Sequence, residues 1–273
     1  RVKRFKFMGE EMNQQDWWKT LFDKKYLDTY LDELTVERTD KEVDFATRAA
    51  KLVPQDKILD LACGHGRHSI ELARRGFNVV GLDYSEPFIE KAKEDAEDAG
   101  VKVEFMQGDM KELPFNEEFD AILMLFTAFG YFDTESNQHV LFEVNKALKP
   151  GGRFFIDVIS GDAVIERFNK EGEKEEGANL LKIPRTFERS GLTITEVEFF
   201  DPDEQLVHNH REWTDEEGNK KEYDFYLRVY TLAQYKEMFS KAGFEFKKVW
   251  GDFEGNPHNT NDNFRTIILA EKV

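Results

Sequence analysis

Between residues 55 and 160 the apolar positions fall into short, largely apolar runs. Between these lie longer segments in which apolar residues recur every three or four positions. The runs Lys57–Leu61, Phe77–Leu82, Lys102–Met106, Phe119–Phe126 and Arg153–Ile159 predict buried strands, and the segments Arg67–Arg75, Glu86–Ala99 and Ser136–Leu148 predict helices. Largely apolar runs suit strands covered on both faces. Their alternation with helices predicts an α/β fold with a parallel sheet and right-handed crossovers. Ligands in such sheets bind beyond the carboxyl ends of the strands, near the point where strand order reverses.

The flanks are patterned differently. Residues 11–53 carry helical stripes: Trp17, Trp18, Leu21 and Phe22, then Leu27, Tyr30, Leu31 and Leu34, then Val43, Ala46, Ala49, Ala50 and Val53, stopped by Pro54. Each stripe either packs on the body or caps a pocket. Residues 161–230 break the βα rhythm. Glu171–Gly177 predicts a surface loop, and Leu192–Phe200, Gln205–Trp213 and Lys221–Tyr230 predict antiparallel strands turned at Asp201–Glu204 and Asp215–Asn219. Thr231–Ala242 predicts a helix closed by Gly243, before final strands at Phe244–Trp250 and Asn263–Ala270.

Composition narrows the function. The 273 residues are 40% hydrophobic, enough for one large domain with an insertion. No apolar run reaches the ~18 residues of a membrane span, so no membrane association is expected. The start, Arg1 to Met8, is basic but leads into no apolar stretch, so no secretory signal is expected; whether Met8 is the natural start stays open. With 38 basic and 55 acidic residues the net charge is −17, which argues against nucleic acid as a partner and for a small molecule or protein. One cysteine, Cys63, excludes an internal disulfide and suits a cytoplasmic location. The oligomeric state is left open.

The candidate chemistry lies in the first two βα units. Asp60-Leu-Ala-Cys-Gly-His-Gly66 follows the first strand and opens a helix; Gly64 and Gly66 permit a tight turn with backbone close to a ligand. Asp83, at the end of the next strand, can accept both hydroxyls of a ribose. This much is similar to a dinucleotide fingerprint. Three features disfavour an NAD-dependent oxidoreductase: Ser69 replaces the third glycine, Asp60 precedes the glycines, and Gly108-Asp109-Met110 follows the third strand, where a carboxylate can meet an adenine amino group.

In these features the chain resembles the class I S-adenosylmethionine-dependent methyltransferases. Asp60–Gly66 is similar to their first motif, Gly81-Leu-Asp-Tyr-Ser85 to the second and Gly108-Asp109-Met110 to the third. Phe119–Phe126 is similar to their fourth strand, and Leu148-Lys-Pro-Gly-Gly-Arg-Phe154 to the turn into the fifth. The resemblance implies a seven-stranded Rossmann-like sheet over 55–160 and 231–273, an N-terminal helical cap over 1–54 and an inserted antiparallel β lid over 161–230. It implies S-adenosylmethionine as cofactor and S-adenosylhomocysteine as product. Ala62, Cys63 and Gly64, with Gly66 in the same turn, would line the methionine part. Asp83 would hold the ribose, and Tyr84 would stack near the adenine. Asp109 and Met110 would meet the adenine, and Leu125 would offer a carbonyl to the ammonium group.

Plainer readings stand beside these. Asp60 can simply orient the turn, and Cys63 is small and buried rather than nucleophilic. His65 and His68 lack further ligands, so no metal is expected. On the acceptor side Phe126-Thr-Ala-Phe-Gly-Tyr-Phe132 is aromatic, and Tyr131 offers a hydroxyl. On the inserted strands His208 and His210 share one face, with Arg211 and Trp213 on the other. Tyr131, His208 and His210 are the catalytic candidates, with His139 a further candidate base; a base is needed for a hydroxyl and optional for an amine. The expected function is methyl transfer to a nitrogen or oxygen of a small molecule by in-line displacement. The alternatives are a protein or peptide N-methyltransferase and a non-catalytic S-adenosylmethionine-binding module.

Overall fold

The computed structural model describes residues 6–7, 10–11, 17–22, 34–175, 179–189, 191–215, 217–259 and 263–273. Leu27, Tyr30 and Leu31 of the second N-terminal stripe lie outside the described residues. The described chain begins with a strand pair, β1 (Lys6–Phe7) and β2 (Glu10–Glu11), and one helical turn, α1 (Trp18–Leu21). Helix α2 (Val36–Ala49) follows. Then β3 (Lys57–Leu61), α3 (Arg67–Arg74), β4 (Asn78–Asp83), α4 (Glu86–Asp98), β5 (Glu104–Gln107), β6 (Phe119–Met124), α5 (Thr134–Ala147) and β7 (Leu148–Ile159) run in order. Helix α6 (Gly161–Glu171) leads into β8 (Glu173–Lys174), β9 (Leu181–Arg189), β10 (Leu192–Asp201), β11 (Leu206–Thr214) and β12 (Lys220–Arg228). Helix α7 (Leu232–Lys241), β13 (Phe244–Trp250) and β14 (Arg265–Lys272) close the chain.

Seven of these strands form a mixed sheet in the order β13-β14-β7-β6-β3-β4-β5. Strands β3 to β7 pair in parallel, and β14 pairs antiparallel with β7 and β13. The order reverses between β3 and β6, which places the ligand crevice at their carboxyl ends. The apolar runs are buried on both faces. Leu59, Ile122, Phe154 and Ile156 meet α5 and α7 on one side, while Ile58, Leu123, Phe155 and Ile267 meet α2 on the other. Burying each such side chain stabilises the fold by about 1.5–3 kcal/mol.

The other large sheet has the order β12-β11-β10-β9-β8, all antiparallel. Its apolar side chains Ile183, Phe200 and Leu227 pack with Val164 and Phe168 of α6, and Tyr131 and Ile159 of the main body rest against this group.

Three differences from the sequence expectation have physical reasons. Helix α2 lies in the main body rather than in a cap: Val43, Phe45 and Ala46 pack on Phe155, Trp250 and Ile267. The reading of 161–230 omitted α6, whose N-cap Ser160 accepts a hydrogen bond from Ala163 N and whose stripe Val164, Phe168 is short. It also omitted β9, which carries Pro184, a residue type that is rare in central strands. In the structure β8 pairs only with Leu181 and Lys182, so Pro184 stands where β9 has become an edge.

Candidate active site

The turn after β3 is built around one phenyl ring. A Cβ at Gly66, where φ is +80°, would come within 2.7 Å of Phe105, and one at Gly81 within 2.6 Å of the same ring. Backbone strain gathers at the crevice. Ala62 at the end of β3, and Phe126 and Thr127 beyond β6, adopt φ values of 59°, 65° and 60°. Left-handed backbone at non-glycine residues costs about 1–3 kcal/mol each and persists only where neighbours enforce it. Asp157, fully buried on β7, enforces it here: its carboxylate accepts from Phe126 N at 3.1 Å, and its carbonyl accepts from Thr127 N at 3.2 Å. Arg265 pairs with the same carboxylate. All three strained residues line one continuous cavity of about 410 Å³.

Two carboxylates face one half of that cavity. Asp83 accepts from Gly64 N and Ser85 N, each at 2.8 Å, one on each oxygen. Each oxygen keeps a second lone pair. Burial pushes the Asp83 carboxyl up, and backbone N–H groups pull it back. Asp109 also lines the cavity; it accepts from Lys111 N at 2.9 Å. Tyr84, Met110, Leu82 and Phe88 supply apolar walls, and Tyr84 meets the edge of Trp18 at 4.5 Å.

Arg67, the first residue of α3, was missing from the sequence reading. Its guanidinium pairs at 2.6 Å with Glu42 of α2, which also meets His68 at 2.8 Å and Arg38 at 3.0 Å. These three partners hold the Glu42 carboxyl well below the ordinary range although burial opposes them. Arg67 lines the cavity, and its buried Nη2 has no hydrogen-bond partner among the described residues. A free guanidinium N–H near the start of α3 suits a carboxylate. Two acids for a ribose and an adenine, one cation for an amino-acid carboxylate and apolar walls between them match the chemistry of S-adenosylmethionine.

The cavity continues past Leu125, Phe126 and Thr127 to the second sheet. There its wall is Val207, Asn209 and Arg211 of β11 with Tyr223, Phe225 and Leu227 of β12. Asn209 is 8% exposed, and its Oδ1 has no partner among the described residues. Glu196 and Glu198 of β10 pair with Arg185, Arg211 and Arg167. Arg167 also lines the cavity, and its buried Nε has no hydrogen-bond partner among the described residues.

The expected cofactor residues Ala62, Cys63, Gly64, Asp83, Tyr84, Asp109, Met110 and Leu125 all line this cavity, as does Tyr131. Gly66 supports the turn from behind. Asp60 lies under it, accepting from Ser69 Oγ at 2.6 Å, with its pKa raised to about 6 by burial. Burial pushes the Cys63 thiol far up, so it stays protonated. His208 and His210 are not brought to the cavity. They point from the opposite face of β11, where His208 stacks on Tyr226 at 4.4 Å. Strand alternation carried the signal, because Asn209 between them must face the other way.

Residues 58–152 match the methyltransferase-domain family. The chain is 29% identical over 263 residues to the glycine/sarcosine N-methyltransferase of Halorhodospira halochloris, covering 92% of this chain and 90% of that one. It is 25% identical over 261 residues to the cypemycin N-terminal methyltransferase of a Streptomyces species, covering 88% and 97%. In fold it is similar to the CcbJ methyltransferase from Streptomyces caelestis, with a TM-score of 0.76, 20% identity and coverage of 96% and 100%. Fold, crevice and these likenesses define a Rossmann-like methyltransferase. The chain is an S-adenosylmethionine-dependent methyltransferase similar to the class I enzymes, and S-adenosylmethionine is its cofactor.

Proposed function

We propose that the enzyme methylates a nucleophilic nitrogen or oxygen of a small molecule held between the strained Phe126–Thr127 turn and the second sheet, which acts as a lid. The observation that carries this reading is the single cavity. It runs from Asp83 and Asp109 to Asn209 and Arg167, whose buried Oδ1 and Nε have no hydrogen-bond partner among the described residues. A walled pocket suits a small acceptor better than a folded protein; a peptide terminus is the second choice, and the N-methyltransferases among the relatives fit either.

S-Adenosylmethionine, when bound, supplies an electrophilic methyl group on a sulfonium. Asp83 would hold its ribose, Asp109 and Met110 its adenine, and Arg67 its carboxylate. The aromatic wall of Phe22, Phe126, Tyr131 and Phe225 excludes water and offers ring faces to a sulfonium. Asn209 Oδ1 would accept a hydrogen bond from the acceptor and aim its lone pair at the methyl group. Alignment of this kind lowers a barrier by ~7–11 kcal/mol at most. Tyr131 is the catalytic candidate that reaches the cavity. The single buried Cys63 suits a reducing, cytoplasmic setting.

Calorimetry with S-adenosylmethionine, S-adenosylhomocysteine and NADH should show binding of the two sulfur ligands alone. A screen of amines, amino acids and phenols for methyl transfer should then find a substrate. With that substrate Asn209→Ala should lower kcat/KM about tenfold or more while S-adenosylhomocysteine affinity holds, since one lost hydrogen bond in a desolvated site is worth about 1–3 kcal/mol. Unchanged kcat/KM would remove Asn209 from the acceptor site. Activity only on intact proteins would replace the small-molecule reading.

A further inference from the structure

The face of the second sheet opposite the cavity gathers two imidazoles and three carboxylates. His208 Nε2 lies 2.6 Å and His210 Nδ1 3.0 Å from one oxygen of Asp224, the residue paired with His210 across β11 and β12. The potential ligand atoms of the three side chains all lie within 4.8 Å of one another. From the geometry we infer that His208, His210 and Asp224 form a divalent transition-metal site of the Zn²⁺ type.

Three observations carry it. First, the donor set is right: two imidazole nitrogens and a carboxylate are borderline ligands that bind Zn²⁺ at ~2.0–2.2 Å, and small side-chain shifts open the cluster to that spacing. Second, the ring nitrogen of His210 that would not ligate faces Glu212 at 3.3 Å. A carboxylate accepting from the far nitrogen is the usual support of a metal-bound histidine. The ring of His208 is fixed between Phe199 at 5.6 Å and Tyr226 at 4.4 Å, near parallel to both. Third, acidic groups crowd the cluster. Glu212 and Glu222 stand directly opposite each other on β11 and β12, next to the His210–Asp224 pair. Like charges at paired positions destabilise a sheet, and a dication beside them removes the penalty. Sequence spacing hid the site because Asp224 comes from the neighbouring strand.

Bound metal would tie β11 to β12 on the face behind Asn209, Phe225 and Leu227. It would act as a clip that stiffens the cavity wall. The site does not depend on the proposed acceptor, so its test does not require one.

Tag-free protein is stripped with chelator and titrated with Zn²⁺ and with Co²⁺. One equivalent of Zn²⁺ should bind, and Co²⁺ should give visible d–d bands that Zn²⁺ abolishes. Mg²⁺ and Ca²⁺, which favour all-oxygen sites, should not compete. The double variant His208→Gln/His210→Gln should lose Zn²⁺ affinity by about 100-fold or more, and Glu212→Gln by about tenfold. Binding of S-adenosylhomocysteine reports that each variant is folded. On the unchanged protein Zn²⁺ should shield His208 and His210, but not His139, from acylation by diethyl pyrocarbonate. Absence of Zn²⁺ binding by the folded protein, full affinity in the double variant, or unshielded His208 and His210 would each overturn the site.

Discussion

Arg67 shows how one side chain is made available to a ligand. Glu42 neutralises its charge and fixes its plane, yet its buried Nη2 has no hydrogen-bond partner among the described residues. Arg67→Met should therefore weaken S-adenosylmethionine and S-adenosylhomocysteine by about tenfold or more, as expected for a charged hydrogen bond worth ~1.5–3 kcal/mol. It should leave 5′-methylthioadenosine, which lacks the amino-acid part, nearly unchanged; calorimetry on the three ligands checks this. Equal losses for all three would mean that Arg67 only supports the turn. The neighbouring imidazoles set an acid limit. Burial, then the charge of Arg67, lowers His65 and His68 to about 4 from an ordinary 6.5. Between those values the unfolded chain binds more protons, so stability is complete above about pH 6.5 and is lost as pH falls toward 4. Asp60, raised to about 6 by burial, acts in the opposite direction because the native state keeps its proton. Asp83 and Asp157, also pushed up by burial, add to Asp60, so the imidazole contribution is read by difference: the Tm of the unchanged protein minus that of His65→Asn should fall between pH 7 and pH 5. A constant difference contradicts a buried neutral His65.

At the scale of elements, the joint between the two sheets is backbone on backbone. Arg228 N donates to Gly130 O at 2.8 Å, and a Cβ at Gly130, where φ is +109°, would come within 2.3 Å of Arg228 O. Gly130→Ala must open that joint. It should cost about 2 kcal/mol or more in urea unfolding, well above the few tenths of a neutral surface change. A variant as stable as the parent would show that the joint adapts. The same scale explains what was legible in the sequence. Asp83 could be found because it ends a strand with the apolar stretch Val79–Leu82, Asp109 because Gly108-Asp109-Met110 follows the next strand, and the turn at Gly64 and Gly66 announces itself by composition. Glu42 and Arg67 could not, because their partnership joins α2 to α3 across intervening β3 and has no local period. Arg167 sits on α6, which the pattern was too short to declare. Asn209 was visible only as the residue between two histidines, and the histidines drew the attention that alternation should have passed to the opposite face.

For the whole molecule, the decisive fact is that two sheets share one cavity while a short N-terminal turn touches both sides of it. Trp18 meets Tyr84 at 4.5 Å on the cofactor side and Phe132 at 5.4 Å. Trp17 meets Phe225 of β12 at 4.9 Å and Tyr131 at 5.3 Å. The chain carries a net charge of −17, and the cavity wall sets Arg67, Arg167, Arg185 and Arg211 beside Asp83, Asp109 and Glu198. The adjacent indoles have a practical consequence. Each leans on a different compartment, so ultraviolet emission should change in two separable steps, one when the nucleoside enters and one when the acceptor follows. The protein is its own unlabelled optical gauge, and a stopped-flow trace of that glow would give the sequence of arrivals and departures in a full catalytic cycle.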